Sequence, residues 1–437
     1  MGENKVKIFM AIFVIIILIL GISFLLKQKE IESEQVVINY YSQPDINGVV
    51  SEIISNFETM NPNIKVNLVE LPQNTDDKLI TIKKAFQSGE MQVDVFDSDV
   101  VWPPIFAASG WAEPLDEYVT KEELGKFLPQ ALKANMYMDQ LWGLPYRIDA
   151  GMMYYRADLL DKYNKPVPMT WDELVETSKY IMDKEDEGLI GFGASWDEFE
   201  GLTANALEYI WSFGGSIFSD SDYRKVAINS PDAVNGVQFM VDMIHKHEIT
   251  SKEITVYKSG DVREEFFAGN LLFMRDWSSG WELSQDAEKS QVVGKVGIAE
   301  LPLGDVKGHS YTTLGGWQVM VSSYSNKKDA AVAFAKYRSS EEAQKIGALK
   351  MSFLPSIKKL YNDNEINKSM TFLKYMYPSF EKAYPRPVSP YYAEISKTIQ
   401  NSVHKALLNE VSASQAIENI EINIRNIIET KQNVSDK

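Results

Sequence analysis

The chain of 437 residues contains no cysteine. Disulfides, thiolate metal sites, cysteine nucleophiles and a lipid-modified amino-terminal cysteine are therefore excluded, although no compartment follows from this. Histidine is scarce, at four residues. None has His-Glu-x-x-His spacing, and His245 and His247 stand two apart on a helical stretch, where they do not share a face. Positive charge is in deficit: 44 Lys and Arg against 61 Asp and Glu give a formal charge of −17, which repels phosphate backbones and excludes nucleic acid as a natural partner. No Gly-x-x-x-x-Gly-Lys-Ser/Thr loop occurs, so this is not a nucleotide-hydrolysing subunit. A Gly-x-Ser-x-Gly elbow is missing too. The acidic run from Asp183 to Gly188 has the opening spacing of a calcium loop, but Ala194 stands where a bidentate glutamate belongs, so a solvated acidic turn is expected there. The pattern calls for no metal and no cofactor.

What the chain does have is size, aromatic side chains and one long apolar run. Its length exceeds what a single core supports, and 45% apolar and 11% aromatic residues can fill two. Residues 8–26 carry no charge and are flanked by Lys5, Lys7, Lys27 and Lys29. A span needs about 17 to 25 residues, so an uncleaved membrane anchor is expected. A cleaved signal segment is the competing reading, but its only small-x-small site, Gly21-Ile22-Ser23, lies inside the run. Lysines on both sides leave the orientation undecided.

After a polar spacer, strand and helix patterns alternate. Residues 36–41 read as a strand, and Val49, Val50, Ile53, Ile54 and Phe57 form a helical stripe stopped by Asn61-Pro62. Residues 64–69 read as a second strand, Leu79, Ile82 and Phe86 as a helix ending near Gly89, and residues 93–96 as a third strand. This order predicts a mostly parallel sheet with helices on both faces and ligands at the strands' carboxyl ends, where Asp97, Asp99 and Trp102 fall. Residues 146–174 read as a strand, a short helix and a second helix. Thr170 and Glu173 have capping-box spacing, Met169 and Leu174 fit a hydrophobic staple, and Trp171, Leu174, Val175, Ser178 and Ile181 make a core stripe. Amphipathic helices are expected over 204–213 and 232–245, strands over 295–301 and 316–321, and helices over 391–408 and 414–428, with Ser412 and Gln415 as another capping box. No internal repeat or long low-complexity segment occurs.

Several ordered landmarks carry a resemblance: Tyr146-Arg-Ile-Asp149 with the helix after it, Val93-Asp-Val-Phe-Asp-Ser-Asp99-Val-Val-Trp102, Ala108-Ser-Gly-Trp-Ala-Glu-Pro-Leu-Asp116, Thr313-Leu-Gly-Gly-Trp317 and Tyr384-Pro-Arg-Pro-Val-Ser-Pro-Tyr-Tyr392. From residue 36 to about 428 the chain resembles the sugar-binding proteins of ATP-binding-cassette importers, in the trehalose/maltose-binding branch. The resemblance implies an α/β, two-lobe periplasmic-binding-protein-like fold, each lobe a sheet flanked by helices, joined by a two- or three-segment hinge. Residues 1–35 would be anchor or signal segment and spacer. Residues 36–148 plus about 304–350 would form the amino-terminal lobe, and 149–303 plus about 351–432 the carboxy-terminal lobe, with a second crossing near 353–356. It further implies a monomer on the outer face of the membrane that closes on a carbohydrate and presents it to permease subunits, and is not an enzyme.

Sugar recognition needs aromatic faces for the apolar side of a pyranose and polar groups that replace water at its hydroxyls. By position and resemblance, Trp277 and Trp317 are the aromatic candidates, with Gly316 letting the backbone approach the ligand; a core or interface role is the alternative for either ring. Asp99 and Asp149 are the carboxylate candidates, each able to hold two hydroxyls. Their alternatives are a helix cap at Asp99 and a hinge salt bridge to Arg147 or Arg156 at Asp149. Arg386, stiffened by Pro385 and Pro387, offers a planar donor fork or else a structural ion pair. Gln43 and Arg147 complete the set. Several positions depart from the family pattern: Arg147 and Ser279 stand where relatives have tyrosines, the 42–47 loop offers Gln43 and Asp45 in place of a glutamate, and Lys78 stands in the region of a sugar-contacting arginine. An added arginine and a lost aromatic suit a more polar or anionic sugar. Two rivals remain at this level: a glycoside-cleaving enzyme using Asp99 and Asp149, and a sensor ectodomain feeding a membrane kinase.

Overall fold

The computed structural model describes Phe13 and residues 15–18, 35–89, 92–185, 188–219, 222–304 and 310–435. Most of the apolar run at 8–26 lies outside these, and no described helix is long and apolar enough to cross a membrane.

β1 (Val36–Ser42), α1 (Val49–Met60), β2 (Ile64–Glu70), α2 (Thr75–Ser88) and β3 (Val95–Asp99) form the anticipated βαβαβ run. β1 pairs in parallel with β2 and with β3. α1 turns Val49, Val50, Ile53 and Phe57 inward. The Asn74 side chain starts α2 by accepting from the Asp76 and Asp77 N–H groups, and Gly89, at φ +63°, ends it, as a helix cap and a left-handed terminator do. Helix α3 (Pro103–Ala108) follows β3.

The chain then passes through β4 (Leu144–Ala150) to β5 (Met152–Arg156) and changes sheets at Gly151, where a side chain would meet Arg275 and Glu208. Beyond it lie α4 (Trp171–Met182), β6 (Ile190–Gly193), α5 (Glu200–Ser212), α6 (Pro231–His245), α7 (Ser259–Ala268), β7 (Leu271–Asp276) and β8 (Val296–Ala299). Next, β9 (Leu314–Val321), α8 (Lys328–Arg338) and α9 (Glu341–Met351) return to the first sheet, and α10 (Tyr392–Leu407) and α11 (Ala413–Ser435) pack together at the end.

The first sheet has the order β2-β1-β3-β9-β4 and the second β8-β5-β7-β6. β9 runs antiparallel to both β3 and β4, so the first sheet is parallel except for this one returning strand. β8 pairs antiparallel with β5 in the second sheet. The Thr170–Glu173 capping box is formed, and all five residues of the α4 stripe are buried. The hydrophobic staple is not: Met169 is 71% exposed, its backbone N–H donating to the Glu173 carboxylate while its side chain faces out. A second correction concerns residues 204–213. They belong to α5, which is buried on nearly every face because α6 and α10 both pack against it. Thr203, Asn205 and Glu208 lie within that helix, and the polar stripe they suggest is internal.

Candidate functional site

A cavity of about 670 Å³ lies between the two sheets. Its walls include all eight residues singled out from sequence: Gln43, Asp99, Arg147, Asp149, Trp277, Gly316, Trp317 and Arg386. Strand register brings many of them together. On β9, Trp317 stands opposite Asp99 of β3 and Arg147 of β4, and Gly315 stands opposite Asp149. The register slips between Trp317 and Gln318, and Gly316 has φ +136°. A Cβ there would come within 2.7 Å of the Arg147 carbonyl oxygen and 2.9 Å of the Ile148 Cα, so this backbone requires glycine. Trp317 packs edge-on against Trp102 at 5.4 Å, which makes it part of the first lobe's core as well as a cavity wall.

Trp277 is held differently. It follows β7 on a turn whose carbonyl accepts from the Tyr154 hydroxyl at 2.7 Å, while the next N–H, of Ser278, donates to Asp149 Oδ1 at 3.0 Å. The Arg275 guanidinium sits 4.0 Å from the ring centroid and is itself fixed by Glu208. One face of the half-buried ring is thus supported by a cation while the residue lines the cavity.

Asp149 is only 6% exposed, and its Oδ1 also accepts from the Ala150 N–H at 3.0 Å. Neither Arg147 nor Arg156 forms an ion pair with it; Arg156 is engaged by Asp158. Burial pushes the Asp149 carboxyl up, against the opposing charge of Arg147 and the Ser278 N–H. This carboxylate therefore tethers the Trp277 turn to the strand that leaves the first lobe.

Arg386 bridges the lobes. Its Nη2 donates to Asp99 Oδ1 at 2.7 Å and its Nη1 to Glu200 Oε1 at 2.6 Å, with all three side chains buried. Glu200 also accepts from the Tyr392 and Ser396 hydroxyls, and its N–H donates to the Asp76 carboxylate across the cleft. Burial raises the Glu200 carboxyl to about 7; Arg386 opposes this, and Asp76 and Asp99 add to it. The ion pair expected as the alternative for Arg386 is present, and the helix that Asp99 would have capped starts only at Pro103; Asp99 Oδ1 accepts from the Val101 N–H.

On the first-lobe wall, Gln43 donates from Nε2 to the Tyr146 hydroxyl at 2.6 Å and accepts at Oε1 from Arg147 Nη2 at 3.2 Å. Lys78 donates to the Gln73 carbonyl and lies 5.1 Å from the Trp317 ring centroid. Its ammonium is lowered to about 8, first by burial and then by the charge of Arg147. Glu200, Arg263 and Arg338 also line the cavity without having been selected from sequence. A glutamate opening a largely apolar helix was the available signal for Glu200, whereas Arg338 ends an ordinary surface-looking helix and gave none.

A two-lobe cleft lined by aromatic rings, carboxylates and a donor fork, with its walls drawn from separate sheets, is a binding geometry, and comparison with known proteins agrees. The model of the bacterial extracellular solute-binding protein family matches residues 43–345. The chain belongs to that family. This solute-binding protein is 32% identical over 364 residues to a probable ABC transporter-binding protein of Deinococcus radiodurans, covering 82% of this chain and 85% of that one. It is 25% identical over 388 residues to the maltotriose-binding protein of Pyrococcus abyssi, covering 87% and 79%. Among solved structures, maltose-bound T. maritima MalE3 superposes with a TM-score of 0.85 at 36% identity, covering 90% of this chain and all of that one. The family and these relatives are binding proteins, and the two-lobe periplasmic-binding-protein fold is common to them. A solute-binding protein of this family works outside the cytoplasm.

Proposed function

We propose that the cavity captures a sugar or small oligosaccharide by hinge closure and that the loaded protein delivers it to the permease of an ATP-binding-cassette importer. The observation that carries this reading is Trp277: a ring backed by Arg275, tethered through Asp149, and lining the cavity alongside Trp317 of the other sheet. That maltose-bound T. maritima MalE3 shares the fold at 36% identity supports a carbohydrate. In this reading Gln43, Asp99, Arg147, Asp149, Trp277, Gly316, Trp317 and Arg386 contact the ligand. Residues 36–148 plus about 304–350 move as one lobe, and 149–303 plus about 351–432 as the other. Contacts from both lobes favour the closed state by their differential affinity for it. The apolar run at 8–26 anchors a monomer to the outer face of the membrane.

A thermal-shift screen of the full chain over mono-, di- and trisaccharides tests the function. The expected result is a shift that rises with sugar concentration for a di- or trisaccharide. No shift with any sugar, alongside a shift with an amino acid or peptide, would overturn it. Amino-terminal sequencing of the native product tests the anchor, and a mature terminus between residues 21 and 35 would show a cleaved signal segment.

A further inference from the structure

The buried cations of the cleft fall into two groups. Arg263 is matched by Asp276, Arg275 by Glu208, and Arg386 by Asp99 and Glu200. Lys78, Arg147 and Arg338, on the first-lobe wall, form no ion pair among the described residues; Arg338 is buried and donates to the Tyr40 hydroxyl. Lys78 is 4% exposed and Arg147 8%. Among the described residues Lys78 donates only to a backbone carbonyl and Arg147 only to the Gln43 amide oxygen, and Arg147 Nε has no hydrogen-bond partner. The described carboxylates near them that form no ion pair are Asp149, whose charge acts on Arg147, and Asp97, which already accepts from the Tyr40 hydroxyl, the Ser42 hydroxyl and the Gln43 N–H.

A buried cation without a counter-ion is strongly unfavourable unless a partner supplies the charge. The Arg147 guanidinium also lies over the Phe353 ring, 3.9 Å from its centroid, and its Nη2 donates to Gln43. Its Nε is enclosed, so an oxygen-rich anion in the cavity would be met by the Nη groups, end-on, a geometry in which guanidinium groups bind carboxylate or phosphate. Ordinary sugar hydroxyls would accept from these donors but would leave three cations, Lys78, Arg147 and Arg338, facing two carboxylates, Asp97 and Asp149, one positive charge in excess.

We infer that Lys78 and Arg147 form a subsite for an anionic group carried on the sugar, a carboxylate or a phosphate. This rests on the sugar-capture reading above and adds the charge of the ligand to it. Gln43 positions Arg147 and does not itself bear the charge. The net charge of −17 slows the approach of such a ligand, so the preference resides in the bound state and appears in dissociation.

Calorimetric titration of the full chain with two matched pairs tests this: α-1,4-galactobiose against digalacturonate, and trehalose against trehalose 6-phosphate. In at least one pair the anionic member is expected to bind at least tenfold tighter, and which pair shows it separates carboxylate from phosphate. Arg147→Gln should abolish that preference, weakening the anionic member at least tenfold more than it weakens the neutral one. Lys78→Gln should reduce it, and serves as the second readout if Arg147→Gln fails to fold. Equal or tighter binding of the neutral member in both pairs, or a preference that survives both substitutions, would overturn the inference while leaving sugar capture standing. Binding of no sugar, charged or neutral, would remove both.

Discussion

Trp277 and Asp149 divide the labour that a single binding residue is often given. In the proposed reading the ring supplies the stacking face, while the carboxylate holds the turn that presents it through the 3.0 Å bond from the Ser278 N–H. Trp277→Ala should therefore weaken sugar binding by about 2 kcal/mol or more, as truncation of a central aromatic anchor does. It should leave unfolding curves nearly unchanged, because Arg275 keeps Glu208. Unchanged affinity with a large loss of stability would return the ring to the core. Asp149→Asn retains an oxygen able to accept from both Ala150 and Ser278 but removes the charge. If the carboxylate also holds a hydroxyl, calorimetry should show affinity falling by about 1.5 to 3 kcal/mol, the range for hydrogen bonds to charged groups, with little change in unliganded stability. The reverse pattern would leave Asp149 as a loop tether alone.

At the scale of elements, β9 does most to build the site, since it alone brings Gly315, Gly316 and Trp317 against β3 and β4. Gly316→Ala forces a side chain onto a positive-φ backbone with a carbonyl oxygen 2.7 Å away. Denaturant unfolding should show a loss of about 1 to 3 kcal/mol or more. Gly260→Ala, where the added Cβ meets open space, should stay within about 0.5 kcal/mol. Equal effects would mean that the slip in register is tolerant and that β9 does not fix the wall.

The elements were legible in the sequence where local chemistry decides them. The period-2 and period-3.6 stripes located the early strands and helices, and Thr170 with Glu173 marked the start of α4 because a capping box is made within four residues. Met169 misled because nothing local says whether an apolar residue at a helix entrance turns in or out. α5 misled because some of its polar side chains are satisfied by partners nearly two hundred positions away: Glu200 by Arg386, Tyr392 and Ser396, and Thr203 by Ser396. Six of the eight site positions lie in landmarks that resemble a family, Gln43 and Trp277 outside them, and the structure gathers all eight into one cavity. Pairings such as Arg386 with Glu200, across 186 positions, have no trace in local pattern.

For the whole molecule, the Asp99–Arg386–Glu200 network joins the two lobes through buried charge. The Glu200 carboxyl is raised from an ordinary 4.5 to about 7 in the folded protein. Between those values the folded state holds a proton that the unfolded state has lost, so stability contributed by this group is present below about 4.5 and is lost as pH rises through 7. Thermal unfolding should show stability falling from pH 5 to pH 8 by an amount on the order of 3 kcal/mol from this group, before other carboxylates are counted. Glu200→Gln, which cannot ionise, should flatten that slope. An unchanged slope would assign the pH dependence elsewhere.

Capture between lobes is tested most directly by amide hydrogen exchange of the full chain, with and without the saccharide that gives the largest thermal shift. Residues 97–102 and 315–317 of one lobe and 277–280 of the other should all gain protection, along with the connecting strand at 147–150. Protection confined to one lobe, or spread over a surface away from these segments, would contradict closure around a ligand in this cavity.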